Sequence, residues 1–449
     1  MNPTRPGGIW RPFGHFNYRL WAAGALVSNI GTWVQRTAQD WLVLTELSRH
    51  SASAVGVVMA LQFGPQLVLL PWTGVAADRY DQRRLLMLTQ AAMGGLALVL
   101  GVLTLMHVVR WWEVCVFAAL FGSAAAFDSP ARQTFVGELV GDADLPAAVA
   151  VNSMSFNGAR MIGPAICGLL IAWVGTGWAF MLNGVSFIAV LMSLRLLRRG
   201  DLLAKPRTPR GRGAFMQGLR YVWGRHDLRS VLVMLFLIGT FGLNFPIFIS
   251  TMAVKVFHAD ARQYGMLSSI MAAGTFAGAF LSARSTRDRF GSLLWGAVIF
   301  GIGCTLAACA PTYWTFAAAL MVIGVATLLF TSTSNSLMQL ATEPAMRGRV
   351  MALRVGIALG GTPVGAPFVG WVADSFGARG IDGGGGIRIR RGTDRLACPA
   401  CSRHPELGQH PATSQNTTRA HKAGAGRDQI SAAGSGWVFT SPAPSASSA

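Results

Sequence analysis

Gly74-Val-Ala-Ala-Asp78-Arg79-Tyr-Asp81-Gln-Arg83-Arg84 is a dense charged loop between two long uncharged segments, Ala54 to Ala77 and Leu85 to Val109. Each segment exceeds the roughly 20 residues that an α-helix needs to cross a hydrocarbon core of about 30 Å. Two such helices joined by a short basic loop form a membrane hairpin, and the rest of the chain is read outward from it.

The composition agrees with that hairpin. Of 449 residues 52% are hydrophobic and only 13% charged, which excludes an ordinary soluble domain and fits a polytopic membrane protein. A formal net charge of +19 raises the question of nucleic acid. The basic residues sit between apolar spans rather than on one face with interleaved aromatics, so no nucleic-acid partner is expected.

Further uncharged runs occupy Met161 to Leu194, Ser230 to Val254, Gln263 to Ala283, Phe290 to Thr342 and Val355 to Ala373. The longest must turn, at Ala310-Pro311-Thr312 and near Gly175-Thr176-Gly177, because a proline that lacks its backbone donor belongs in a turn outside the hydrocarbon. Leu20 to Glu46 and Trp112 to Val140 complete an expectation of eleven spans. An acidic turn is expected in Val140 to Asn152, and the same pattern recurs in Ala341 to Leu353.

Lys and Arg crowd alternate segments: Arg5, Arg11 and Arg19; Arg79, Arg83 and Arg84; ten between Arg195 and Arg229; Arg284, Arg287 and Arg289; Arg347 and Arg349. The intervening segments hold only Arg49, Arg110, Lys255 and Arg262. Cytoplasmic loops collect such residues, so the N-terminus is expected inside, with the first span an uncleaved anchor. The expected organisation is an N-terminal six-helix half (1–194), a basic cytoplasmic linker (195–229), a C-terminal half of about five spans (230–379) and a disordered basic tail (380–449). Parallel halves of this kind surround a midplane binding site.

Three places in residues 15 to 379 carry a family resemblance. The loop Gly74-x-x-Ala77-Asp78-Arg79-x-Asp81-x-Arg83, the segment Phe127-Asp128-Ser129-Pro130-Ala131-Arg132-Gln133 with Glu138-Leu139-Val140, and Gly163-Pro164-x-x-x-Gly168 resemble the major facilitator superfamily, in particular its siderophore and drug exporters of the transmembrane secretion effector type. Asp81 stands where that loop commonly has glycine, and Gln82 where it commonly has arginine. The resemblance implies an all-α fold of two six-helix halves, a gating role for Gly74, Asp78, Arg79 and Arg83, an export-linked hinge at Gly163, Pro164 and Gly168, and a cavity lined by spans one, four, seven and ten. It implies secondary active export of a small hydrophobic or amphipathic molecule from a monomer in the inner (plasma) membrane. A truncated, non-transporting membrane protein or sensor on the same scaffold is the alternative. The alternative to gating is that Arg79, Arg83 and Arg84 are simply topology determinants, with Asp78 paired to one of them.

Ionisable residues at membrane depth are costly, which makes them functional candidates. Arg36 and Asp40 are four apart on span one, as are Asp128 and Arg132 on span four, so each pair shares a helix face. Either pair neutralises itself, or its aspartate binds and releases protons, the expected coupling ion. Gln35, Gln39, Asn244, Asn335 and Arg160, with Trp33 and Trp41, are candidates to line the cavity; sparse polar anchors in an apolar pocket suit an amphipathic ligand.

No enzyme is expected. Lys205, Lys255 and Lys422 are the only lysines, and none lies in a phosphate-binding Gly-x-x-x-x-Gly-Lys loop. No cofactor or metal is expected either, since Cys398-x-x-Cys401 with His404 is only half a zinc site. After Gly370-Trp-Val-Ala-Asp374-Ser-Phe-Gly377 the apolar pattern stops, where the resemblance implies a twelfth span that is apparently missing. From Gly380 onward the composition cannot bury a core, and so abrupt a change suggests a shifted reading frame.

Overall fold

A computed structural model describes residues 8–69, 72–73, 76, 79–203, 214–284, 289–343 and 346–378. All lie in one unit, Met1–Arg388. Gly74, Asp78 and the whole of 379–449, including Cys398, Cys401, His404 and any twelfth span, fall outside the described residues.

The chain is all-α where described. It comprises α1 (Phe16–Leu42) continued by a π turn (Val43–Leu47), α2 (Ala52–Val68), α3 (Gln82–Leu105), α4 (Trp111–Val174), α5 (Thr176–Leu196) and α6 (Ala214–Trp223). Then come α7 (His226–Leu237), a π turn (Ile238–Gly242), α8 (Phe245–Thr251), a second π turn (Met252–Val256), α9 (Ala261–Arg284), α10 (Arg289–Cys309), α11 (Tyr313–Ala341) and α12 (Arg347–Phe376).

Eight helical segments among the described residues are long and apolar enough to cross a membrane. One of them, α4, has 64 residues and would run about 96 Å if straight, far beyond one bilayer core. It breaks at Gly141 (φ 73°, ψ −178°), a left-handed state open to glycine. Counting its two limbs separately makes nine rods, and α1 and the 17-residue α2 bring them to eleven. The acidic turn expected across Val140 to Asn152 is narrower than the sequence suggested: the helix resumes directly after Gly141. Asp144 there binds His15 at 3.0 Å and Arg11 at 3.3 Å.

Local signals explain the other boundaries. Ser51, Asp81 and Thr312 N-cap α2, α3 and α11, their side chains accepting the backbone N–H of Ala54, Arg84 and Thr315. Gly175 (φ 89°) separates α4 from α5. Pro65, Pro130, Pro146, Pro164, Pro363 and Pro367 lie inside helices, whereas Pro246 sits in the first turn of α8, where its missing N–H is no loss.

Leu88, Trp173 and Trp295 are about 70% exposed, and only 28% of the apolar stretch in Gly291–Cys309 is buried. A surface this apolar belongs in lipid. Inside, α1 and α3 pack on α4 and α5, while α11 packs on α9 and α10. Two seams join these groups, α2 against α12 and α4 against α9. A Cβ on Gly56 would meet the Ala366 carbonyl, and one on Gly265 the Pro164 carbonyl, so both seams depend on glycine for close approach.

The apolar core is continuous at one end, where Leu42, Val55, Cys167, Phe248, Tyr264 and Val369 belong to a single cluster. At the other end it is two separate cores, one around Tyr18, Trp21 and Phe135, the other around Leu228, Phe330 and Val350. A shared apolar core therefore joins the two groups of helices at one end and not at the other.

Candidate functional site

Asp128 on α4 is 6% exposed and fully bonded. Its Oδ2 accepts from Arg132 Nε at 3.1 Å and Nη2 at 2.9 Å. Its Oδ1 accepts from Thr89 Oγ1 at 3.0 Å and Gln90 Nε2 at 2.6 Å, both on α3. Arg132 also reaches Asn29 Oδ1 at 3.5 Å, so this network ties α1, α3 and α4 together.

Arg36 and Asp40 have the same spacing but a different arrangement. Asp40 is 7% exposed, and its carboxylate accepts no hydrogen bond among the described residues. The Arg36 guanidinium lies 5.0 Å from the Trp33 ring and 5.3 Å from the Phe63 ring, held by aromatic faces rather than by an ion pair. Arg160, from the second limb of α4, lies 5.5 Å from the same Trp33 ring. A Cβ on Gly163 would strike Trp33, so this glycine is what lets α4 lie close enough to α1 to deliver Arg160. Pro164 and Gly168 press against α9 instead: a Cβ on Gly168 would stand 2.6 Å from the Ala261 carbonyl.

The remaining sequence candidates sit in different surroundings. Gln35 Oε1 accepts from Asn183 Nδ2 at 2.5 Å and belongs to the α1–α5 contact. Gln39 is 2% exposed, with Nε2 unpartnered among the described residues. Asn244, fully buried at the start of α8, donates to the Thr240 carbonyl at 2.6 Å and closes the π turn. Asn335 is half-buried on α11. Nearby, Arg354 donates to the Thr331 carbonyl at 2.8 Å and to Ser334 Oγ at 3.2 Å.

In the charged loop, Arg83 is 8% exposed and donates to the last carbonyls of α5, Leu194 at 2.6 Å and Arg195 at 3.2 Å. It holds a helix C-terminus rather than facing lipid phosphate. Asp81, which departs from the usual glycine, is the N-cap of α3. Arg79 is exposed.

Sequence reasoning missed an inter-helix clasp at the fused end. Asp374, near the end of α12, accepts from Ser51 Oγ at 2.8 Å, the backbone N–H of Ala52 and Ser53 at 2.9 Å each, and Lys255 Nζ at 2.8 Å. One carboxylate thus satisfies the first turn of α2 and anchors the turn after α8. A signal was present in the chain: Gly370-Trp-Val-Ala373-Asp374 repeats the pattern of Gly74-Val-Ala-Ala77-Asp78. Thr89, Gln90 and Phe63 were also missed, since uncharged residues on an apolar span carry no distinctive spacing.

Eleven helical rods among the described residues, in two groups joined at one end by a continuous apolar core, define the class as a polytopic membrane protein. A bacterial homologue of the human lysosomal transporter Spinster, solved inward-facing and unoccupied, superposes with a TM-score of 0.66 at 16% identity, covering 80% of this chain and 83% of that one. The chain belongs to the transmembrane secretion effector family of the major facilitator superfamily, whose profile matches residues 7–389. It is 28% identical to the multidrug efflux pump Tap of Mycolicibacterium fortuitum over 79% of this chain and 88% of that one. It is also 28% identical to the staphyloferrin A transporter of Staphylococcus aureus (strain NCTC 8325 / PS 47), over 55% of this chain but only 61% of that protein's length.

Proposed function

We propose that the chain is a secondary active exporter, not an enzyme, moving a small hydrophobic or amphipathic molecule, a drug or a siderophore, in exchange for protons. The observation that carries the reading is Asp40: a carboxylate 7% exposed on a membrane helix, without a hydrogen bond among the described residues. A buried acid with no fixed partner can take or release a proton without dismantling structure. Asp128 has the opposite character. The names of the relatives, a multidrug pump and a staphyloferrin transporter, support the cargo class.

In this reading the protein works as a monomer in the inner membrane, with its N-terminus cytoplasmic as the Lys and Arg distribution favours. Residues 1–194 and 230–379 act as the two moving halves and 195–229 as their cytoplasmic linker. The fused end, with Ser51, Lys255 and Asp374, then faces outward, and the separate cores face the cytoplasm, which is the inward-open arrangement. Gly74, Asp78, Arg79 and Arg83 gate the cytoplasmic side, and Gly163, Pro164 and Gly168 form the hinge beside α9. Gln39, Asn335 and Arg160 line the cavity.

Reconstituted vesicles test this directly. An imposed pH gradient should drive accumulation of an amphipathic dye by the wild type, and Asp40→Asn should abolish it at unchanged protein level. Full gradient-driven accumulation by Asp40→Asn would remove Asp40 from the mechanism, and no transport by the folded wild type would favour a non-transporting scaffold.

A further inference from the structure

Trp33 Nε1 and Arg36 Nε are both buried and both lack a hydrogen-bond partner among the described residues. Indole and guanidinium nitrogens are donors only, so no alternative assignment of the side chain relieves them. Beside them Arg160 brings a second guanidinium to the same indole ring, and its side chain makes no hydrogen bond to the described residues. Gln39 Nε2 is a further unpartnered buried nitrogen on the same helix. Asp40 is the carboxylate whose charge acts on Arg36. Two guanidiniums against one carboxylate leave a surplus positive charge, and Trp33 Nε1 and Arg36 Nε have no acceptor among the described residues. Buried donors and charges of this kind call for a partner.

We propose that Trp33, Arg36 and Arg160 form a binding site for an organic oxyanion, a carboxylate carried on a flat apolar body. The planar guanidinium fork matches a carboxylate in two parallel hydrogen bonds, which a lysine in its place would not offer. The Trp33 and Phe63 rings that hold the Arg36 guanidinium make the surroundings of its fork apolar. With the ligand's charge added, two cations face two anions and the site is neutral. Arg160 also lines a cavity of about 160 Å³ with Ser153, Asn157, Thr275 and Phe276, between α4, α9 and α11, so a ligand would reach the site from the Arg160 side. Arg132 does not belong to the site, since Asp128 already holds its fork.

The proposal deepens the export reading by naming what the cargo carries, and it says nothing about the coupling ion. Binding is therefore measured without any gradient, on the full chain in neutral phosphatidylcholine nanodiscs, with labelled naphthalene-2-carboxylate and its uncharged amide as probes. The carboxylate should bind about tenfold or more tighter than the amide, and Arg36→Gln and Arg160→Gln should each remove at least that preference. Arg132→Gln should leave it unchanged, and Arg36→Lys should restore part of it, which guards against a variant that merely misfolds. Equal affinity for acid and amide, or full binding in both glutamine variants, would overturn the site. Displacement of the probe by phosphatidylglycerol would assign the donors to a lipid headgroup and overturn it equally. Carboxylate binding by a wild type that transports nothing would uphold the site while the export reading fails.

Discussion

Two aspartates, each four residues from an arginine on a membrane helix, have been put to different uses. Asp128 is surrounded by donors from α3 and α4, its charge spread over four hydrogen bonds. Asp40 has none among the described residues, because its arginine has turned to Trp33 and Phe63. The i, i+4 spacing puts acid and base on one face but does not make them pair; the neighbours decide. Where the adjacent helix offers hydroxyl and amide groups, the result is a structural strut. Where it offers aromatic rings, both charges stay available.

The comparison breaks most visibly in stability. Asp128→Ala strands Arg132, Thr89 and Gln90 in a buried setting, and loss of one partner of such a pair costs about 3–5 kcal/mol. Thermal unfolding in detergent should show a large drop in midpoint, whereas Asp40→Ala should show a smaller one, since it breaks no hydrogen bond and gives up only the attraction between its charge and Arg36. Comparable losses in both variants would erase the distinction.

A second expected effect is smaller and concerns shape. Asp374→Asn loses the charge that Lys255 and the first turn of α2 share at the fused end, at a cost of about 1–2 kcal/mol. That is enough to shift a balanced two-state equilibrium about tenfold, so a cysteine placed at Ala373, 1% exposed beside the clasp but not part of it, should label faster from the outside in Asp374→Asn than in its parent. Unchanged labelling would mean that the clasp does not hold the end shut. A smaller effect again is expected from Arg83→Gln, which gives up hydrogen bonds to the end of α5 and should lower stability by about 1 kcal/mol without altering cargo preference.

Much of this was legible in the chain because the bilayer imposes long apolar runs. The turns at Gly175 and Pro311 follow from length and from residues that cannot continue a helix, and the helices stop there. The limb boundary in α4 was harder, since one glycine with positive φ replaces the longer acidic turn that the composition suggested. At the site, the charged candidates could be found because charge is rare in lipid, but not what they touch. Gln35 and Gln39 are four apart on one helix, yet one bonds Asn183 in the scaffold and the other does not. Such choices depend on which residue of another helix arrives opposite, which no local pattern encodes. The Asp374 clasp joins residues more than 300 positions apart, and only the repeated Gly-x-x-Ala-Asp pattern hinted at it.

The most direct measurement compares Asp40→Asn with Asp128→Asn in vesicles, as dye accumulation under a pH gradient normalised to folded protein. We expect Asp40→Asn to be folded and inactive, and Asp128→Asn to be depleted in folded protein while each surviving molecule transports. Transport by Asp40→Asn at the wild-type rate, with Asp128→Asn well folded and silent, would contradict the account and move the proton to the other aspartate.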